Sequence, residues 1–189
     1  LRGGVAAHRR RMSDPRARAR ELAAAAVAAD QPTAWFEQLY AEAATGAAIV
    51  PWDDRRANPL LVRWLAAHPP APGARALDVG CGTGDNAALL AARGCAVTAF
   101  DVAPSAVAIA AARFPHLRCE VASALDPPAA WRAAFDLVVE IYTLQVLPPD
   151  ARARAARALA ALVAPGGTLL VIARAREPHD PPGAMPWPL

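Results

Sequence analysis

At 189 residues, with 55% hydrophobic and 20% charged positions, the chain is long enough for one domain with its own core and lies in the soluble globular range. The formal charge of +3 is concentrated in residues 1–20, which hold seven arginines and one acid, while residues 21–189 carry thirteen arginines against sixteen acids. A nucleic-acid reader needs its basic surface on the folded body, so this distribution argues against one, and the longest apolar run is broken by Pro165-Gly166-Gly167 before reaching the ~18–20 residues of a membrane helix.

All twenty basic residues are arginine, a mark of base-composition bias, so arginine counts alone carry little meaning. The three cysteines, Cys81, Cys95 and Cys119, show no CxxC or Cys/His metal spacing. They read as reduced thilols of a cytoplasmic protein with no metal site.

Residues 1–20 form an arginine-rich leader, similar to a transit peptide and expected to be disordered. Met12, Ser13 and Asp14 also look like an ordinary start, which would make residues 1–11 upstream sequence. Residues 21–70 read as a helical cap: two helix-forming stretches place Trp35, Phe36, Leu39 and Tyr40 on an apolar face, a turn follows at IVPWDD, and PLLVRWLAAH continues as a helix.

From residue 71 to 177 short apolar runs alternate with amphipathic ones. ARALDVG, CAVTAFD, LRCEVA, FDLVVE and TLLVIARA read as strands, with DNAALLAARG, PSAVAIAAARF, a brief PAAWRAA turn and PDARARAARALAALVA as the helices between them. The expected fold class is α/β: a Rossmann-like, doubly wound parallel sheet. Residues 178–189 form a proline-rich tail.

In such sheets a ligand sits beyond the carboxyl ends of the strands, where strand order reverses. Gly80, Gly82 and Gly84 stand there at alternate positions, more glycine than a turn needs. A triphosphate loop requires Gly-Lys-Ser or Gly-Lys-Thr, and the chain has no lysine. A dinucleotide fingerprint would have glycine where Asp85 stands, and that carboxylate would face a pyrophosphate resting on the helix N-terminus. S-adenosylmethionine has no phosphate, and its sulfonium and ammonium are compatible with Asp78 and Asp85. Asp101, nineteen residues after Gly82, falls where ribose hydroxyls would lie and offers two acceptor oxygens. An NAD(P)-dependent oxidoreductase is the weaker alternative.

LDVGCGTG followed by FDVAPSAVAIA resembles the first two motifs of class I S-adenosylmethionine-dependent methyltransferases, over about residues 33–175. The segment WFEQLYAEAATGAAIVPWDD is similar to the cap of thiopurine-methyltransferase-like and tellurite-resistance-like members. This resemblance implies a cofactor shell in which Gly80, Gly82 and Gly84 line the methionine part and Asp78 its amino end, with Cys81 and Asn86 also in the shell. Asp101 would take the ribose, Val102 the adenine edge, and Ser123 with Ala124 the adenine amino group, although the family often has Asp where Ser123 stands. Glu140 and Ile141 would reach the pocket from the fourth strand, and Trp52 would pack near the methionine.

The implied activity is methyl transfer to a small-molecule acceptor with a sulfur, oxygen or nitrogen nucleophile. Positioning does most of that chemistry, so Asp53 and Glu140 are candidate bases only, needed for a hydroxyl or amine acceptor. The resemblance further implies that the last strands of the family's sheet are missing after the fifth strand, which would then be an exposed edge. A truncated remnant that binds cofactor without catalysing transfer is the second reading.

Overall fold

The computed structural model describes residues 16–174. The expectations about the start of the chain and about the tail at residues 178–189 lie outside them.

The cap is built from α1 (Ala17–Ala28), α2 (Ala34–Ala44) and α3 (Pro59–Ala67). Helix α1 begins before the expected boundary at residue 20, so the end of the leader is helical. Arg18 explains this: its guanidinium grips Glu42 of α2 through Nε at 2.9 Å and through a second nitrogen at 2.6 Å. Asn58 caps α3 by accepting the Leu60 N–H, and Pro59 occupies the first helical position, where its missing N–H costs nothing.

The sheet comprises β1 (Arg75–Val79), β2 (Ala96–Asp101), β3 (Arg118–Val121), β4 (Phe135–Ile141) and β5 (Val163–Ile172). Their order is β3-β2-β1-β4-β5, and every pairing is parallel. Helices α4 (Asp85–Ala92) and α5 (Pro104–Arg113) connect the first three strands, and α6 (Pro149–Ala160) leads into β5. One face of the sheet buries Leu77, Val79 and Val138 against Ala155 and Leu159 of α6. The opposite face buries Ala76, Leu137 and Val139 against Leu61 and Leu65 of α3 and Leu90 of α4. Strand order reverses at β1, whose neighbours are β2 on one side and β4 on the other. Over the carboxyl ends of the strands lie α1 and α2, joined to α5 through Ala103 and Ala106.

Two boundaries differ from the sequence reading. Helix α6 stops at Ala160 and β5 begins at Val163, so Pro165-Gly166-Gly167 lies inside the strand rather than before it. The strand accommodates it by a register shift: Phe135 faces Val163, yet Leu137 faces Thr168. Gly166 takes φ +78°, and a Cβ on Gly167 would stand 2.9 Å from the Asp136 carbonyl, so a bulge forms here that a side chain would obstruct. Beyond β4, a single 3-10 turn at Leu144–Val146 replaces the continuation of the strand.

Candidate active site

A cavity of about 390 Å³ opens at the carboxyl ends of the strands, within the ~300–1,000 Å³ usual for small-ligand sites. Its floor is the β1–α4 loop, which Asp101 holds from the end of β2. One carboxylate oxygen accepts the Gly82 N–H at 2.9 Å, and the other accepts the Ala103 N–H at the same distance. Burial raises the Asp101 carboxyl above its usual range, opposed by those N–H donors.

The three glycines do different things. A Cβ on Gly80 would collide with the Thr143 hydroxyl, and one on Gly82 would lie 2.8 Å from Tyr40 Oη. Both face the cavity wall. Gly84 does not line the cavity: at φ +91° it lets α4 approach α5, where a Cβ would meet Phe114 at 3.0 Å and Ala110 at 3.1 Å. Its role is packing, contrary to the shell implied by the resemblance.

Asp78 and Glu140 are also displaced from that shell. Asp78 is buried behind the loop, where it accepts the Ala87 N–H, and burial pushes its carboxyl up to about 7. Glu140 is fully buried, and one of its oxygens accepts the N–H groups of Thr143 at 2.6 Å and Leu144 at 2.9 Å. It caps the turn after β4, and burial likewise raises it to about 7. As a base it has no access to the cavity, so that candidacy fails on geometry.

Asp85 lines the cavity, but its charge is already offset. Arg113 grips it through two nitrogens at 2.7 and 2.8 Å, and also donates to the Thr83 carbonyl. The expectation that Asp85 repels a pyrophosphate or attracts a sulfonium loses its basis; the displaced third glycine remains.

Trp52, Gly80, Cys81, Gly82, Asn86, Asp101, Val102, Ser123, Ala124 and Ile141 all border the cavity, as does Asp53. Asn86 accepts the Asn58 N–H at 2.8 Å, tying α4 to the entry of α3. Cys81 is buried, and burial pushes its thiol well above the usual range, consistent with a space-filling role. Ser123 accepts the Leu125 N–H, which leaves its own hydroxyl proton and one lone pair for another partner. Asp53 accepts from the Thr83 hydroxyl at 2.9 Å and pairs with Arg55 at 3.1 Å.

Sequence reasoning missed several wall residues. Tyr40, read as core, has its hydroxyl over Gly82, where it accepts from Trp52 Nε1 at 3.0 Å; burial raises the phenol above its ordinary value. Tyr142 sits at φ +65°, a conformation uncommon for a bulky side chain, and turns the chain from β4 into the Glu140-capped turn. Arg16, Arg20, Arg56 and Arg174 also line the cavity. No local pattern marks them, because cap, linker and strand end meet only in the folded chain.

A glycine loop locked by a strand-end carboxylate, at the reversal of a 3-2-1-4-5 sheet, defines a Rossmann-like small-ligand domain. Comparison narrows the class: residues 76–167 match a family model described as a methyltransferase domain. A ubiquinone biosynthesis O-methyltransferase of Xanthomonas campestris pv. campestris is 37% identical over 127 residues, covering 64% of this chain and 52% of the relative. A solved structure from work on the conversion of a disulfide bond into a thioacetal group during echinomycin biosynthesis is 28% identical, with TM-score 0.66, over 74% of this chain and 61% of the other. The Burkholderia thailandensis 1,6-didemethyltoxoflavin-N1-methyltransferase, solved with bound 1,6-didemethyltoxoflavin and S-adenosylhomocysteine, is 25% identical, with TM-score 0.61, over 82% of this chain and 64% of the other. Over residues 76–167 the chain is thus similar to a methyltransferase domain. It spans about half the length of the curated relatives it matches. No helix among the described residues is long and apolar enough to cross a membrane, and no group of metal-binding side chains occurs among them.

Proposed function

We propose that the cavity binds S-adenosylmethionine and that the protein transfers its methyl group to a small-molecule acceptor. The observation that carries this reading is the Asp101 carboxylate, fixed at the cavity floor by the Gly82 and Ala103 N–H groups. With the Val102 N–H as a third donor, a lone pair of the carboxylate remains for a ribose hydroxyl. Two further features fit the adenosyl cofactor: side chains at Gly80 and Gly82 would collide with opposing walls, and the matched relative from Burkholderia thailandensis binds S-adenosylhomocysteine.

When bound, the cofactor supplies an electrophilic methyl carbon on a sulfonium, already a good leaving group. In this assignment Gly80, Cys81 and Gly82 approach the methionine portion by backbone, Asp101 holds the ribose, and Val102, Ser123 and Ala124 border the adenine. Trp52, whose ring meets that of Tyr40 at a 74° interplanar angle, offers a ring face to the positive sulfonium. The protein's main task is to align acceptor and methyl carbon and to exclude water, effects that can supply ~7–11 kcal/mol. For a hydroxyl or amine acceptor, Asp53 is the wall carboxylate that can take the proton, its orientation fixed by Thr83 and Arg55. A thiolate acceptor needs no base.

The three cysteines are free, in keeping with a reducing cytoplasm. The activity is tested by incubating the protein with S-adenosylmethionine and a panel of thiols, phenols and amines, with release of S-adenosylhomocysteine as readout. Turnover that disappears in Asp101→Asn supports the proposal. Cofactor binding without turnover of any acceptor would favour a non-catalytic domain.

A further inference from the structure

We infer that Gln145 is a specificity-determining residue of this site: its carboxamide NH2 donates to a carbonyl oxygen of the methyl acceptor, as in a ketone or an amide. This rests on the methyl-donor reading above and names one group that the acceptor carries.

Gln145 is 4% exposed and belongs to the cavity wall. One bond orients its carboxamide: Oε1 accepts the Arg174 N–H at 2.8 Å. Only the oxygen of an amide can take a backbone N–H, so this partner identifies the two ends and leaves the NH2 as the free one. Nε2 has no hydrogen-bond partner among the described residues. Nor is it sealed off without one, as Asp78 Oδ2 and Glu140 Oε2 are. What exposure Gln145 retains is therefore toward the cavity, where two N–H donors stand unused. Buried polar groups are as a rule paired, and a ligand that meets this one removes an unfavourable vacancy.

The mounting is rigid. Gln145 is the middle residue of the 3-10 turn Leu144–Val146, and both its neighbours are held. The Leu144 N–H donates to Glu140, and Val146 packs on the buried cluster that joins α1 and α2 to α5. Arg174 holds the tip of the side chain from the end of β5. A donor fixed at backbone and tip before a ligand arrives loses little freedom on binding, which favours discrimination over adaptability.

Strand order separates this donor from the anchor of the cofactor. Asp101 ends β2, on one side of β1, whereas Gln145 follows β4 and Arg174 follows β5, on the other. A cofactor with its ribose at Asp101 and its adenine toward Ser123, after β3, leaves the β4–β5 side to the acceptor. A carbonyl oxygen suits an NH2 donor there, having two in-plane lone pairs and no proton of its own. An acceptor with a methylene in that place leaves the NH2 unpaired and is rejected.

Calorimetric titration of 4-hydroxyacetophenone and of 4-ethylphenol, which differ at one carbonyl, tests this in saturating S-adenosylhomocysteine. The wild-type protein is expected to bind the ketone at least about tenfold more tightly. Gln145→Glu keeps an oxygen for the Arg174 N–H and puts an acceptor in place of the NH2, so the preference should fall below about twofold. Gln145→Leu, which lacks the donor, gives the same test should the glutamate variant not fold. S-adenosylhomocysteine affinity should stay within about threefold in both. The chain has three glutamines, Gln31, Gln38 and Gln145, so the side-chain amide signal of Gln145 is assigned in magnetic-resonance spectra by its absence from either variant. Of the three, that signal alone should move when the ketone is added. Equal binding of the two phenols, a preference that survives in the variants, or no binding of either at about 10 mM would overturn the proposal. So would loss of S-adenosylhomocysteine affinity in place of the ketone preference, which would assign Gln145 to the cofactor. If the wild-type protein does not bind S-adenosylhomocysteine, the methyl-donor reading falls, and the two phenols titrated without it still decide the role of Gln145.

Discussion

The loop that joins β1 to α4 and the cap that covers it meet in the same cavity but are held by different kinds of contact. The loop is anchored by a strand-end carboxylate on backbone N–H groups: Asp101 accepts from Gly82 and from Ala103. The cap depends on side chains far apart in sequence, such as Arg18 with Glu42, Glu37 with the Ser105 N–H and hydroxyl, and Tyr40 with Trp52. Backbone contacts that any residue could make at the right spacing leave a recognisable spacing behind. Side-chain contacts between distant elements do not.

The largest expected effect comes from Gly82, where the two regions touch. Gly82→Val drives a branched side chain into Tyr40 Oη and strains the loop at φ +53°, so S-adenosylhomocysteine affinity should fall by roughly 100-fold, about 3 kcal/mol. Adding Tyr40→Phe, which removes the hydroxyl, should recover part of that loss; no recovery would mean that the cap does not press on the loop.

Gly84→Ala separates packing from binding two residues further on. Its Cβ meets Phe114 and Ala110, so melting should report a loss of about 1–3 kcal/mol, while cofactor affinity per folded molecule stays unchanged. A selective affinity loss would return Gly84 to the cavity.

Asp78 gives a pH signature. Burial raises it from an ordinary 3.8 to about 7, so the folded state holds its proton more tightly than the unfolded chain does. Its contribution is therefore most favourable below about pH 4, declines as pH rises, and is fully lost above about pH 7. The melting temperature of Asp78→Asn relative to wild type should climb across that window and then level off. A flat difference would show that the buried carboxyl titrates normally.

The smallest effect belongs to Asp85. Its pair with Arg113 is partly buried, so Asp85→Ala should cost about 1 kcal/mol or less in stability and leave S-adenosylhomocysteine affinity within about threefold. A large affinity loss would restore it as a cofactor contact.

These cases mark what the sequence made legible. The five strands, their alternation with helices and the placing of Gly82 and Asp101 at the reversal point follow from period, glycine spacing and strand ends. Asp78 and Gly84 belong to the glycine motif and Glu140 to the fourth-strand motif, yet none of them is on the cavity wall, because motif membership does not say on which side of the backbone a side chain works. Tyr40 looked like core for a sound reason, since it is buried; its hydroxyl over Gly82 is a property of how α2 docks. The position of Pro165-Gly166-Gly167 inside β5 likewise depended on a bulge that apolar periodicity does not encode.

Binding of S-adenosylhomocysteine to the wild-type protein and to Asp101→Asn, with NAD as the competing ligand, tests the central claim most directly. The account predicts saturable one-to-one binding that the substitution weakens by about tenfold or more and that millimolar NAD does not displace. Absence of binding, unchanged affinity in the variant, or displacement by NAD would contradict it.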